Sequence, residues 1–547
     1  MKRGTTVCDL TSARWHSIWS IDELVLMIFE HCELRSAACL ARTCHRLYTL
    51  GIPLIWTSPP LTALITLAES TADIFASSSR THCNWKSWLW CNKPIPQPTN
   101  SPRSRRLKFF SQFVTDLILT DPSDSFESPE IEILLEVIQQ ESVESLFPRL
   151  QSLVIIIHRP EFLQCILPFA SRNLSWIKIF LAPPNTDQVL GGSGYGIFLP
   201  HLCTLPRLDS LTLFGSDTIS KDELHFISTI LRTFPDLEAF DAWRMKADDE
   251  FFRRLSSTRN LVTLRIQLGL IVPTLDSVSL PHLESLIIEY SSNTDLSVLL
   301  DHLHAPVLRR IQLDFHWELG ALAFDSPAGF NGPAYRLVSE RIAASWSQSL
   351  EDLTISRVGQ LQIEKESLRI WDMDSFRPML SCHQLRKFLI APPIRLDAQD
   401  ADLVQIGQSW PKIRELSLTG YGSPISSRRP CAGAEGLLAL VGNCHELEVL
   451  ELSINLQSLG ALIPNIKNWP EEYATVRNPN LRNLYVHDCL ICDVDNTSMF
   501  VRRLFPNLET FRYARKELFP MSGNAPTESE RMVCMQRIQK ELGLEEE

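Results

Sequence analysis

From about residue 114 onward, apolar residues recur in a six-residue signature whose first, fourth and sixth positions are hydrophobic. Val114, Leu117 and Leu119 open the series. The first position then returns at Leu150, Leu174, Leu208, Leu237, Leu261, Leu283, Leu308, Leu350, Leu385, Ile413, Leu447, Leu481 and Leu508. These fourteen copies lie 22 to 42 residues apart, the range in which self-similarity signals a stacked array and not one compact core. The last two apolar positions are spaced as on a strand with one buried face, so each unit is expected to open on a short strand. Proline stands two residues before the first position in eight copies, at Pro148, Pro206, Pro235, Pro281, Pro306, Pro411, Pro479 and Pro506. Lacking an amide hydrogen and disfavouring helix just before it, proline ends one element before the next begins. The element it ends is helical: residues 220–234 place Leu224, Ile227, Ile230, Leu231 and Phe234 on one face, with Ser220 and Glu223 in capping-box positions.

A single strand-and-helix unit cannot bury its own apolar face, so neighbours must stack, with a parallel sheet on the inner curve and helices outside. In this the chain resembles the leucine-rich-repeat family in its irregular form, over about residues 107–515, and the class expected is an α/β solenoid. It departs from the family in that the Asn or Cys usually following the strand is mostly missing; Cys489, past Val486, is the one hint of it. Regular turn ladders are therefore not expected, and the curvature should be uneven. Residues two, four and six places after each first position should line the concave face and bind a protein substrate. Aromatic anchors come first, Trp176, Phe180, Phe214 and Trp243, followed by a charged stretch of Arg265, Arg310, Asp314, Asp352, Lys387, Glu415 and Glu451.

Residues 18–58 have a different texture. Leu24 to Phe29 form one apolar run, hydrophobic on more than the single face a surface helix needs, which points to a partner. Two helices and a short third are expected here. Glu23-Leu24-Val25 with Ile28-Phe29, then the string Leu40 to Leu47, then Pro53-Leu54-Ile55-Trp56, resemble an F-box in order and spacing. Ser20, Ile21 and Leu47 depart from it, standing where the family usually has leucine, proline and an aromatic. The resemblance implies docking on the small adaptor subunit of an SCF cullin-RING ubiquitin ligase, and through it on a cullin. By the same resemblance the adaptor-binding residues are Glu23, Leu24, Val25, Ile28, Phe29, Cys44, Leu47 and Trp56. The other reading is a ligase-independent interaction scaffold in which these helices only cap the first repeat.

The remaining chain divides into a disordered start (1–17), a connector (59–106) and a tail (516–547). In the connector a helix is expected over 61–79, then packing tryptophans at Trp85, Trp88 and Trp90, then an extended Pro-rich stretch carrying Arg103, Arg105 and Arg106. The tail should be a short helix fading into an acidic end. The formal net charge of −12 argues against nucleic acid and anionic membrane surfaces as partners. No signal peptide or spanning segment is read, so a cytoplasmic or nuclear protein is expected, with its 14 cysteines reduced.

Candidate chemistry is sparse. Cys489 and Cys492 form a CxxC with His487 and Asp488 beside it, but it follows a repeat strand and lacks a second pair. The glycine-rich 191–196 lacks a following Lys-Ser or Lys-Thr, no helix is read as starting there, and Tyr195 spoils a nucleophile elbow at Ser193. The expectation is a non-catalytic adaptor with no cofactor and no metal.

Overall fold

The computed structural model describes residues 21–60, 63–64, 67, 102–120, 146–157, 169, 172–181, 195–214, 221–269, 277–290, 292–316, 332–358, 370–390, 395–418, 432–457, 459–463, 470–473, 475–490, 493–513 and 528–544. The chain divides into two compact units, Met1–Ser216 with Ser220–Ile230, and Asp217–Ile219 with Leu231–Glu547.

The first unit begins with three helices, α1 (Asp22–Glu30), α2 (Leu34–Ala41) and α3 (His45–Ile55). The third, expected to be short, is the longest of the three and carries Pro53 inside its last turn. Helix α4 (Pro102–Ser111) occupies the end of the stretch expected to be extended, with proline in its first position. Strands β1 (Asp116–Thr120), β2 (Ser152–Ile157), β3 (Trp176–Leu181) and β4 (Ser210–Phe214) follow, all parallel in chain order. A helix, Tyr195–Leu202, does begin at the end of the glycine-rich segment, correcting the sequence reading; residues 191–194 lie outside the described ones.

The second unit continues the scheme with β5 (Ala239–Ala247), β6 (Thr263–Leu268), β8 (Ser285–Tyr290), β10 (Arg310–His316), β11 (Asp352–Val358), β13 (Lys387–Ile390), β15 (Glu415–Ser417), β16 (Val449–Asn455), β17 (Asn483–Leu490) and β18 (Thr510–Tyr513). They form one parallel ladder in that order. Two short parallel pairs flank it, β7 (Val278–Ser279) with β9 (Leu303–His304), and β12 (Ile370–Asp372) with β14 (Arg395–Asp397). The sequence signature is the hydrogen-bonding register itself. Leu117 pairs with Leu153, Leu153 with Ile177 and Ile177 with Leu211, and in the second unit an unbroken row runs from Phe240 to Phe511. Fourth- and sixth-position residues such as Ile155, Ile179, Ile288 and Leu450 are buried, so every strand turns its signature face inward.

Within each compact unit a regular backbone joint connects one repeat to the next. Among the described residues, the carbonyl of the residue just after the first position accepts two amides at the start of the next repeat in twelve copies. Glu284 O, for example, takes Arg309 N and Arg310 N at 3.0 Å each. The same pair of bonds recurs at Thr115, Gln151, Ser175, Glu238, Val262, Arg309, Glu351, Arg386, Arg414, Glu448 and Arg482, all within 2.7–3.1 Å. Asparagine adds a second ladder, ahead of the strand instead of behind it. Asn173, Asn480 and Asn507 each donate to a carbonyl of the preceding unit, at Pro148 (2.7 Å), His445 (2.8 Å) and Pro479 (2.9 Å).

The array's ends are closed. Thr57 O takes Thr115 N (3.0 Å) and Asp116 N (3.1 Å), so the end of α3 supplies the joint that a preceding repeat would have supplied to β1. Trp56 stacks on Phe110 beside it, ring centroids 4.5 Å apart. At the other end the helix Glu528–Leu542 buries Met535 and Ile538, and its Gln539 Nε2 donates to Phe511 O at 2.7 Å. The expected tail is thus a cap.

Candidate functional site

Three surfaces matter: the helical module, and the open sheet face of each unit. In the module, Asp22 and Glu23 lie in the first turn of α1, where acidic groups favour the helix dipole, and Asp22 pairs with Arg46 at the start of α3. Cys44 caps α3 by accepting the Leu47 amide at 3.5 Å. Val25, Phe29, Ala37, Ala41 and Leu47 form the interior. Phe29 lies so close to Gly51 that a Cβ there would sit 2.4 Å from the ring, which is why this helical position is glycine.

This sorts the sequence-derived adaptor set and corrects part of it. Val25, Phe29 and Leu47 hold the module together and cannot meet a partner while it is folded. Trp56 is engaged by Phe110, and Cys44 by the helix cap. Leu24 and Ile28 are half-buried and Glu23 is exposed. The apolar side chains that do face solvent are Ile21 (44 % exposed), Met27 (52 %), Leu34 (49 %) and Leu54 (37 %). Four large exposed hydrophobics on a module of three short helices are an unusual density. The sequence reading passed over them because α1 is hydrophobic on nearly every side.

The open face of the first unit carries Asp116, Ser152, Trp176 and Ser210 in one row, Ile118, Val154, Lys178 and Thr212 in the next, and Thr120, Ile156, Phe180 and Phe214 in the third. Ile118 is 46 % and Trp176 36 % exposed, while Val154, Ile156, Phe180 and Phe214 are half-buried. The predicted anchors Phe180 and Phe214 are register partners with ring centroids 5.6 Å apart. Lys178 Nζ lies 4.3 Å from the centre of the Trp176 ring, a cation–π contact. Trp243 does not extend this group. It falls where the β5–β6 register slips, between Ala242 and Lys246, and its side chain lies outside the described residues.

In the second unit the predicted charged stretch is turned largely upon itself. Arg310, Asp352, Lys387 and Glu415 are register neighbours in alternating sign, and Lys387 forms an ion pair with Glu415. Burial pushes the Asp352 carboxyl above the usual range, against the pull of Lys387 and Arg310. Asp314 is buried, accepting from Gln312 Nε2 at 3.0 Å and from the Ser356 hydroxyl, so it is not a surface group as expected. Arg265 faces the buried Glu289 at 3.4 Å, and Glu451 accepts from Ser417 Oγ at 2.8 Å.

Burial also raises the thiols of Cys382 and Cys444 to about 12, which keeps them protonated and unreactive at neutral pH. Cys489 stands in β17 with its side chain outside the described residues, as is all of Cys492. Among the described residues no group of three or more His, Cys, Asp or Glu could hold a metal ion, and no helix is long and apolar enough to cross a membrane.

The fold and these faces define the class, an α/β repeat array of leucine-rich type led by a helical cap. No protein-family model matches the chain, and no curated protein does. Among solved structures it is similar to an internalin (inlF) from Listeria monocytogenes str. 4b F2365, at 14 % identity over 75 % of this chain and 89 % of that one, with a TM-score of 0.33. It is also similar to a chain in the complex of Rad7 and Elc1 from yeast, at 15 % identity over 80 % and 91 %, TM-score 0.33. A third is the LRR ectodomain of the plant membrane receptor kinase GASSHO1/SCHENGEN3 from Arabidopsis thaliana, at 12 % identity over 69 % and 39 %, TM-score 0.27.

Proposed function

We propose that the chain is the substrate-recognition subunit of an SCF-type cullin-RING ubiquitin ligase: the helical module docks on the adaptor, and the open sheet face holds a protein target. The observation that carries this reading is the exposure of Ile21, Met27, Leu34 and Leu54 on a module whose own interior is already filled. Apolar side chains in excess of what a domain can bury are what a partner groove removes from water. No residue of the chain need react. Holding a target beside the ligase makes transfer to its lysine effectively intramolecular, and the contribution is a local concentration.

Met27→Glu combined with Leu34→Glu tests it. Both side chains are on the surface, so the module keeps its helical content, and adaptor recovered with the purified chain should fall at least ten-fold, as expected when anchor residues are lost. Undiminished recovery would defeat the ligase assignment. The joint at Thr57 favours a second reading, a ligase-independent scaffold whose helices serve only to close the sheet edge. On that reading no adaptor is recovered even with the unaltered chain.

A further inference from the structure

We propose that the open face of the first unit is a binding platform for an extended peptide segment that places bulky apolar side chains on either side of a carboxylate. This deepens the substrate-receptor reading and rests on it for the biological role, but not for the binding itself. Twelve positions of β1–β4 make up the platform, with Ser152, Ser210 and Thr212 buried in its floor; Lys178 is its single cation and Asp116, at its edge, its single carboxylate. Lys178 projects from the middle row, between Val154 and Thr212. Ile118, Val154 and Ile156 lie toward the β1–β2 side, Phe214 lies on β4 at the other side, and Phe180 stands two residues further along β3. Among the described residues no carboxylate is ion-paired with Lys178; its ammonium rests on the face of Trp176 at 4.3 Å. A cation held by a ring keeps its charge and loses part of its water, so an incoming carboxylate meets a pre-placed and partly desolvated partner.

Charge and area select the occupant. The chain carries a net charge of −12, so a second copy would bring mostly like charge to the surroundings. Four strands span about 14 Å at their usual spacing, and three rows about 13 Å along the strands, on the order of 200 Å². A stable dimer needs about 800 Å² on each partner, so this patch fits a short segment and not a second folded surface. Among the described residues of the second unit, several positions in the matching rows are instead taken by groups that pair with one another, as at Lys387–Glu415, Asp314–Ser356 and Ser417–Glu451.

The probe is the peptide fluorescein-Gly-Gly-Leu-Phe-Glu-Phe-Leu-amide, labelled on its amino terminus, with Gln and Lys versions at the Glu position, titrated into the full-length chain by anisotropy at low salt. The Glu peptide should bind roughly five-fold more tightly than the Gln peptide, and the Lys peptide more weakly still. Lys178→Met should abolish the difference between Glu and Gln. Phe214→Ser, only half-buried in the wild type, should weaken all three alike. Arg310→Gln, on the second unit's face, should change nothing, and a thermal melt of each variant confirms its fold. Equal affinity for the three peptides, no binding of any, or indifference to Phe214→Ser would overturn the proposal. Adaptor recovery with the Met27/Leu34 variant is read separately, so either idea can fail while the other stands.

Discussion

Trp56→Ala separates two roles that one side chain was given, an adaptor contact or a weld between module and array. The indole is half-buried and stacked on Phe110 at 4.5 Å, next to the carbonyl of Thr57 that receives two amides of β1. Half of an aromatic side chain's usual burial is about 100 Å², which at about 25 cal/mol per Å² is roughly 2.5 kcal/mol. The stack contributes about 0.5 kcal/mol beyond area. Truncation should therefore reduce the local opening free energy of this junction by about 3 kcal/mol, a factor of about 100 in the open population. Native-state hydrogen exchange reads it directly: the amides of Thr115 and Asp116 should exchange about 100-fold faster, while amides of α1, whose core residues Val25 and Phe29 do not involve the indole, stay protected. Adaptor capture should be unaltered. If those two amides remain protected while adaptor recovery falls, Trp56 is a partner contact and the junction is held by something else.

Asn478→Ala should cost the second unit roughly 3 kcal/mol by urea denaturation, because this buried side chain donates to Cys444 O (2.8 Å) and accepts from Asn480 N (2.9 Å) and Leu481 N (3.1 Å), each bond being worth about 1 kcal/mol. A loss below about 1 kcal/mol would mean that water replaces all three bonds. Asp352→Asn should raise stability at pH 7, since the folded state holds that carboxyl above its usual range and so disfavours its charged form. That penalty is absent below the ordinary aspartate range, near pH 4, so the advantage of Asn should shrink as pH falls to it. An advantage for Asp at pH 7 would show that Lys387 and Arg310 outweigh burial.

The sheet was legible in the sequence because each unit repeats one local demand, two inward side chains on a strand flanked by a break. Positions such as Leu153, Leu264 and Leu450 answer it without reference to anything distant. The orientation of α1 was not legible: with Leu24 to Phe29 all apolar, periodicity cannot tell Val25 and Phe29, which go inside, from Met27, which does not. Gly51 carries the missing signal, a glycine in mid-helix that marks where the Phe29 ring arrives. Asp314 was misplaced for a similar reason. Strand alternation assigns a side chain to a face, but whether that face is open depends on neighbours such as Gln312 and Ser356. The asparagine ladder was missed because it was sought after the strand and lies before it.

The two-amide joint makes every boundary between repeats chemically alike within each unit. Excising the chain from one such carbonyl to the next would leave no orphaned donor or acceptor at the seam, because the following strand would find an equivalent oxygen waiting. Length in this architecture is therefore a quantity that recombination can adjust in whole steps. The helices ahead of β1 show the limiting case, a wholly different segment plugged into the same socket.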